Sequence, residues 1–329
     1  MVSLGARYFS AIDMKTFAFV FPGQGSQSVG MLDAWGDHPV VRDTLAEASE
    51  ALGQDLGELI HAGPKEDLAL TTNTQPVMLV AAVAAYRVWR DTGGAAPAFV
   101  AGHSLGEYSA LVASGVLSLA QAVPLVRLRA QAMQEAVPVG TGAMAAVLGL
   151  PSDQVNAICQ EAQVSFGAGS AEVVQAANFN DPGQTVISGS KAGVDKACEM
   201  LKAAGAKRTL PLPVSAPFHC ALMKPAAERL RVALAALELH APSIPLINNI
   251  DVASPNGADD IRDALYRQAF GPVRWVEVIR AMQQLGVTHV VECGPGKVLA
   301  GMTPRIDASL QAAPFYDPAT LAQVQALLS

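Results

Sequence analysis

Apolar and polar positions follow two rhythms along the chain. Apolar runs of strand length give way to segments whose apolar residues recur every three or four positions, the spacing of one helix face. Thr16–Phe21 reads as a strand and runs into a glycine-rich loop, Pro22-Gly23-Gln24-Gly25-Ser26-Gln27. Helical spacing follows over 38–52 and 75–91. A second apolar run, Ala98-Phe99-Val100-Ala101, predicts a buried strand, and Leu105, Ala110, Leu111 and Ala113 then predict a helix ending at Gly115. Ser118 opens another helix, with Gln121 placed to complete a capping box. Pro124 inside it predicts a kink or a later start.

The rhythm breaks at Pro138-Val139-Gly140-Thr141-Gly142. Beyond it, Ala143–Leu148 reads as a strand and Ser152–Ala162 as a helix. Glu172–Ala177 and Gln184–Ser188 read as a strand pair around Asn180-Asp181-Pro182-Gly183. Ala192–Ala204 is then a helix and Lys207–Leu212 a strand. This β-α-β-β-α-β order is the ferredoxin-like arrangement. Alternation of strands and helices resumes with a helix over Met223–Leu239, in which Pro225 is tolerable in the first turn. Ile244–Asn248, helices near 259–269 and 275–285, and the strand His289–Glu292 complete the pattern. The ferredoxin-like unit, 140–213, is therefore expected as an insertion in an α/β subdomain made of 14–139 and 214–329. Residues 1–13, ahead of Met14, lack the apolar core of a signal peptide and stay outside the fold argument as a leader.

Composition narrows the class. The chain has 329 residues, 51% hydrophobic and 16% charged, ample for a large core and unlike a disordered chain. The longest apolar run, Val77–Tyr86, is too short to span a bilayer, so no membrane partner is expected. A net charge of −7 gives no bulk support for nucleic-acid binding. Four cysteines are scattered without a Cys-x-x-Cys pair, and six histidines show no His-x-x-x-His spacing. Neither a metal site nor a disulfide framework is expected, and a cytoplasmic location suits free thiols.

The candidate chemistry begins at Gly102-His103-Ser104-Leu105-Gly106, which fits G-x-S-x-G. A serine on a tight strand-to-helix turn needs very small neighbours two residues away on each side. The turn also places Ser104 at a helix N-terminus, where free N–H groups favour developing negative charge. A hydroxyl is a weak nucleophile until a base takes its proton. His219, in the proline-stiffened loop Leu212-Pro213-Val214-Ser215-Ala216-Pro217-Phe218-His219, is the best candidate base. His103 adjoins the nucleophile, but a sharp turn aims it away; His38, His61, His240 and His289 read as structural.

Taken together, Phe21-Pro22-Gly23-Gln24-Gly25-Ser26-Gln27, Gly102-His103-Ser104-Leu105-Gly106-Glu107, the arginine of Leu128-Arg129, the Pro-Phe-His loop and Gly294-Pro295-Gly296-Lys297 resemble the malonyl-CoA:acyl carrier protein transacylases. Order and spacing fit over roughly 14–315. The resemblance implies a hydrolase-like parallel-sheet large subdomain with the ferredoxin-like small one inserted. It implies Ser104 as the acylated nucleophile, His219 as base and then acid, and the main-chain carbonyl of Gln268 as the group that orients His219. The N–H groups of Gln24 and Leu105 would form the oxyanion hole. Arg129 would pair with the malonyl carboxylate, Phe218 and Leu105 would favour malonyl over methylmalonyl, and Asn180 would help hold the thioester. Ala130 departs from the glycine common in the family after this arginine. The implied partners are malonyl-CoA and acyl carrier protein, with no cofactor, and a monomer is expected. Lys202, Lys207, Arg208, Lys224 and Lys297 are candidates to receive an acidic carrier. Arg127 reads as a solvated surface charge.

Two functional alternatives stay open from sequence. One is a malonyl transferase of a polyketide pathway. The other is a serine esterase or thioesterase, which needs a carboxylate between serine and histidine in the chain. Asp153, Asp181 and Asp195 lie in that interval, all on the insertion.

Overall fold

The computed structural model describes residues 15–329; the expectations for residues 1–13 and Met14 lie outside the described residues. Two four-stranded sheets organise them. The first is parallel and contains β1 (Phe17–Phe21), β2 (Phe99–Gly102), β7 (His289–Cys293) and β8 (Gln311–Phe315), in the order β2-β1-β7-β8. The second contains β3 (Gly142–Leu148), β4 (Val174–Asp181), β5 (Gln184–Ser190) and β6 (Arg208–Pro211), antiparallel in the order β4-β5-β3-β6. Counted within the insertion, that order is the 4-1-3-2 of the ferredoxin-like arrangement read from the other edge, as the sequence predicts.

All five residues of β1 are buried, because helices cover both faces of the sheet. Successive side chains point to opposite faces. Phe17, Phe19 and Phe21 therefore enter one core with the helix Thr71–Asp91, whose Trp89 ring lies 5.5 Å from that of Phe19. Ala18 and Val20 enter the opposite core with Val278, Ile279 and Leu299, from the helices Trp275–Gln284 and Val298–Ile306. A third core lies between the antiparallel sheet and the helices Ser152–Ser165 and Lys191–Ala203.

Parallel pairing positions the chemistry. Phe21 pairs with Gly102 and Val20 with Glu292, so β1, β2 and β7 end side by side. The loops Pro22–Gln27, Gly102–Gly106 and Gly294–Lys297 thus emerge together at the carboxyl edge of the sheet, where α/β proteins gather their ligands. The insertion is tied down beside them. The N–H of Phe179 in β4 donates to the carbonyl of Val273 at 2.9 Å, the N–H of Val273 donates to Ala177 at 2.8 Å, and Arg305 pairs with Asp181 at 2.8 Å.

Several expectations need correction. The helix Leu119–Glu135 starts where its Ser118–Gln121 capping box places it and runs through Pro124. The β4–β5 hairpin is longer than predicted, with only Pro182-Gly183 as its loop; Asp181 Oδ1 accepts from the Gly183 N–H at 2.9 Å and stands in for backbone pairing. The segment 244–248 forms no full strand but a single bridge from Leu246 to Val100, since Pro245 has no N–H to extend a ladder. The helix predicted to reach Leu239 ends at Ala235, where the Arg262 guanidinium takes the carbonyls of Leu234 and Leu237. Helices Leu56–Ala62, Lys65–Ala69, Val298–Ile306 and Pro318–Leu328, and strand β8, lay outside the sequence reading. No helix among the described residues is long and apolar enough to cross a membrane.

Glycines separate two kinds of constraint. A Cβ on Gly106 would sit 2.0 Å from the Phe21 carbonyl oxygen, whereas one on Gly301, exposed within the helix Val298–Ile306, would meet nothing within 4 Å. Gly301→Ala should therefore raise unfolding stability by about 0.5–1 kcal/mol through the chain entropy of glycine. Gly106→Ala should lower it toward the upper end of the roughly 1–3 kcal/mol that overpacking costs. Urea denaturation of the two variants checks both signs.

Candidate active site

At the end of β2 the backbone doubles back so tightly that a Cβ on Gly102 would fall 1.8 Å from the Gly106 carbonyl carbon. Ser104, between them, has φ 52°. A non-glycine residue held there costs about 1–3 kcal/mol and persists only where its surroundings enforce it. The geometry lifts the Ser104 hydroxyl clear of the sheet. Its Oγ lies 2.6 Å from His219 Nε2 and 3.1 Å from Arg129 Nη2.

His219 is buried and also left-handed, at φ 62°. Its Nδ1 lies 3.0 Å from the Gln268 carbonyl and 3.1 Å from that of Gly271. Carbonyls only accept, so Nδ1 carries the proton and Nε2 turns a lone pair to the Ser104 hydroxyl. Burial, then the nearby Arg129 charge, push the imidazole pKa down to about 3. The ring is neutral at physiological pH and ready to accept a proton. Among the described residues, no carboxylate of a hydrolase triad stands behind it. Asp181 pairs with Arg305 and Asp195 with Lys191, which removes the interval's aspartates as partners, and Asp153 is exposed in the first turn of its helix.

Arg129 is 2% exposed, and neutral groups make its close contacts. Nη1 donates to Gln75 Oε1 at 2.9 Å, Nη2 donates to Gln268 Oε1 at 3.2 Å, and the guanidinium carbon lies 5.4 Å from the centre of the Tyr108 ring. Among the described residues, the carboxyl that acts electrostatically on Arg129 is Glu107, itself pushed up to about 7 by burial, against the N–H of Asn249 and the nearby Gln268 and Arg129. A full positive charge thus faces the cleft with its strongest natural partner, a carboxylate, left for an incoming group.

The cleft holds about 560 Å³ between the two sheets, with Gln24, Leu105, Arg129, Phe218 and His219 in its wall. The N–H groups of Gln24 and Leu105 take no partner among the described residues, so both are available to a developing oxyanion. A Cβ on Gly23 would lie 2.6 Å from the His103 carbonyl, which accounts for one glycine of the loop. Ala130 is fully buried, next to Arg129 in the helix Leu119–Glu135.

Not every expected residue meets the cleft. The Asn180 side chain is taken by His103, whose Nε2 lies 2.9 Å from Asn180 Oδ1, and it is Asn178, two residues earlier in β4, that lines the wall. His103 turns from Ser104 as predicted and stacks edge-on against Trp275 at 5.5 Å. Arg127 is half-buried and bonds Gln54 and Asn73, so it is no freely solvated charge. Sequence reading missed Gln75, Gly271, Asn178 and Asn249. Gln75 carried a usable signal, as an uncharged polar residue just ahead of the longest apolar run; the others look like ordinary loop or strand residues.

Comparisons with known proteins give the family. Residues 18–305 match the family model described as the acyl transferase domain. The malonyl CoA-acyl carrier protein transacylase of Escherichia coli (strain K12) is 54% identical over 310 residues, 94% of this chain and 98% of that protein. The crystal structure of acyl-carrier-protein S-malonyltransferase from Burkholderia pseudomallei 1710b is 61% identical with a TM-score of 0.91, covering 94% of this chain and 99% of that one. A malonyl-transacylase solved in complex with its type II PKS acyl-carrier protein is 50% identical, with a TM-score of 0.90 over 94% of this chain and 98% of that one. With a serine–histidine pair at a glycine elbow and an unpaired buried arginine beside it, the chain belongs to the malonyl-CoA:acyl carrier protein transacylase family of acyl transferases.

Proposed function

We propose that the chain moves a malonyl group from malonyl-CoA to the phosphopantetheine thiol of acyl carrier protein through an ester on Ser104, supplying fatty-acid synthesis. The observation that carries this reading is the buried Arg129 guanidinium, held by neutral amides 3.1 Å from the nucleophilic oxygen. His219 Nε2 takes the Ser104 proton as Oγ attacks the thioester carbonyl. The Gln24 and Leu105 N–H groups hold the resulting oxyanion. Collapse breaks the C–S bond, and the coenzyme A thiolate leaves with the proton from His219. The carrier thiol repeats the sequence in reverse, giving up its proton to His219, which returns it to Ser104. Each proton taken is given back, so the chain's own groups suffice and no cofactor enters.

Arg129 reads the malonyl carboxylate, and Phe218 and Leu105 bound the space beside it. Asn180 acts on the cleft through His103. The subdomain limits of this reading are 14–139 with 214–329 for the large unit and 140–213 for the small one. Exposed Lys202, Lys207, Arg208, Lys224 and Lys297 are candidate contacts for an acidic carrier. A monomer in the cytoplasm, with no nucleic acid or membrane to bind, is the simplest setting.

Mixing with malonyl-CoA should add one malonyl group, mapped by peptide mass to Ser104; Ser104→Ala should take none, and label on Cys220 or Ser215 would overturn the assignment. His219→Ala should acylate about 10²–10⁴-fold more slowly, the scale of a lost general base. Because the folded-state pKa of His219 lies below its ordinary value of 6.5, the neutral base survives as pH falls. The acid limb of kcat/KM should therefore lie well below pH 6.5, and Arg129→Ala should move it upward by removing the largest cause of the shift after burial. A limb centred at 6.5 in the wild type would contradict this account of the site.

Substrate choice gives a separate measure. Leaving a buried charge unpaired costs roughly 3–5 kcal/mol, or about 10²–10⁴-fold in rate when fully expressed in the transition state. Arg129→Ala should lose that much kcat/KM toward malonyl-CoA and little toward acetyl-CoA. Equal losses on both thioesters would assign Arg129 to the fold instead of the carboxylate.

A further inference from the structure

Both peptide groups of Ser104 are bonded to side-chain amides from elsewhere in the chain. The Ser104 N–H donates to Asn249 Oδ1 at 2.8 Å, and Asn249 Nδ2 donates to the Gly102 carbonyl at 2.7 Å. One amide therefore bridges the backbone across His103, at the point where it turns left-handed. On the other side, Gln268 Nε2 donates to the Ser104 carbonyl at 3.0 Å, and its Oε1 accepts from Arg129. The polarity of these partners assigns both amides. A backbone N–H and a guanidinium only donate, and a carbonyl only accepts, so neither side chain can be flipped. Both residues are fully buried. Asn249 is anchored in turn, its own N–H donating to Glu107 Oε2 at 2.8 Å.

The Gln268 bond has a particular consequence. The Ser104 carbonyl and the Leu105 N–H belong to one planar trans peptide and point in opposite directions. A donor fixed on the carbonyl side therefore aims the N–H into the cleft. It also polarises the peptide, which strengthens that N–H as a donor. The main-chain carbonyl of the same residue holds His219. The parts of Gln268 thus reach the base, the arginine and the peptide that supplies an oxyanion donor.

We propose that Asn249 and the side chain of Gln268 are positioning residues that clamp the two peptides of Ser104, setting the hydroxyl and the Leu105 N–H in attack geometry. This rests on Ser104 as the acylated residue and on Leu105 as an oxyanion donor. A loosened clamp slows the acylation step itself. Among the described residues Asn249 hydrogen-bonds neither Arg129 nor His219, so its loss leaves substrate choice and the titration of the base alone.

The experiment is single-turnover acylation of the full chain with malonyl-CoA and with acetyl-CoA, after mass mapping shows where the wild type carries its label. Label away from Ser104 would refute the nucleophile assignment, and with it the basis of the clamp. With Ser104 labelled, Asn249→Ala should acylate about 10²-fold more slowly with either thioester, the scale of a displaced reacting group or a weakened oxyanion donor. Its labelling should still run to completion, with an unchanged malonyl-to-acetyl ratio and acid limb. Asn249→Asp, which keeps an acceptor for the Ser104 N–H, should recover part of the rate. Gln268→Met, which retains the main-chain carbonyl but loses the bonds to both the Ser104 carbonyl and Arg129, should slow acylation by acetyl-CoA as well as by malonyl-CoA and serves as the test where Asn249→Ala does not fold; a loss confined to malonyl-CoA would trace to Arg129 and overturn the clamp. A role in stability alone would instead lower the labelled fraction and leave the rate of that fraction at wild type. That result, or wild-type rates with full labelling in the folded variants, would overturn the clamp.

Discussion

The constraint on which the site depends is the close approach of backbone to backbone around Ser104. Space for the turn exists only because Gly102 and Gly106 lack side chains: a Cβ on either would come within about 2 Å of another main-chain atom. The turn forces Ser104 to φ 52°, and that conformation presents its hydroxyl. Everything around the turn contributes to holding it. The register of β1 against β2 brings the Pro22–Gln27 loop alongside, Asn249 and Gln268 bond the serine's peptides, and the helix Gly106–Ala113 offers its N-terminus.

Charge placement follows a second rule. Arg129 is buried among amides and an aromatic ring, an arrangement that keeps a guanidinium oriented while leaving its charge uncompensated at close range. A structural carboxylate in contact would have satisfied it and closed the site to anions. The same positive charge, added to burial, holds His219 neutral. On the proposed roles, recognition of the acyl group and readiness of the base are thus linked through one side chain: a carboxylate that settles on Arg129 also relieves the pressure on the imidazole.

The insertion contributes walls and rigidity more than reacting groups. Its sheet is hydrogen-bonded to the large unit through Ala177, Phe179 and Val273, and its Asn180 steadies His103. Carbonyls of Gln268 and Gly271 replace the carboxylate that hydrolases place behind their histidine. Neutral acceptors orient the ring without stabilising its protonated form as strongly as a charge would, in keeping with the proposed base, which releases its proton to a departing thiol.

Local rules made much of this protein legible in its sequence. The glycines of the elbow, the capping box at Ser118, the apolar periodicity of β1 and its covering helices, and the ferredoxin-like order of the insertion each depend on neighbours a few residues away. Ser104, His219 and Arg129 could be singled out because their types and surroundings are rare. What only the tertiary structure decided are contacts between residues far apart in the chain: Gln75 and Gln268 on Arg129, Gly271 behind His219, Asn249 beneath Ser104, and Asn180 against His103 instead of the cleft. An amide in a loop or strand has no local signature, since its value comes from the partner it meets. Likewise, the segment 244–248 and the helix ending at Ala235 were settled by missing or competing donors, Pro245 in one case and Arg262 in the other.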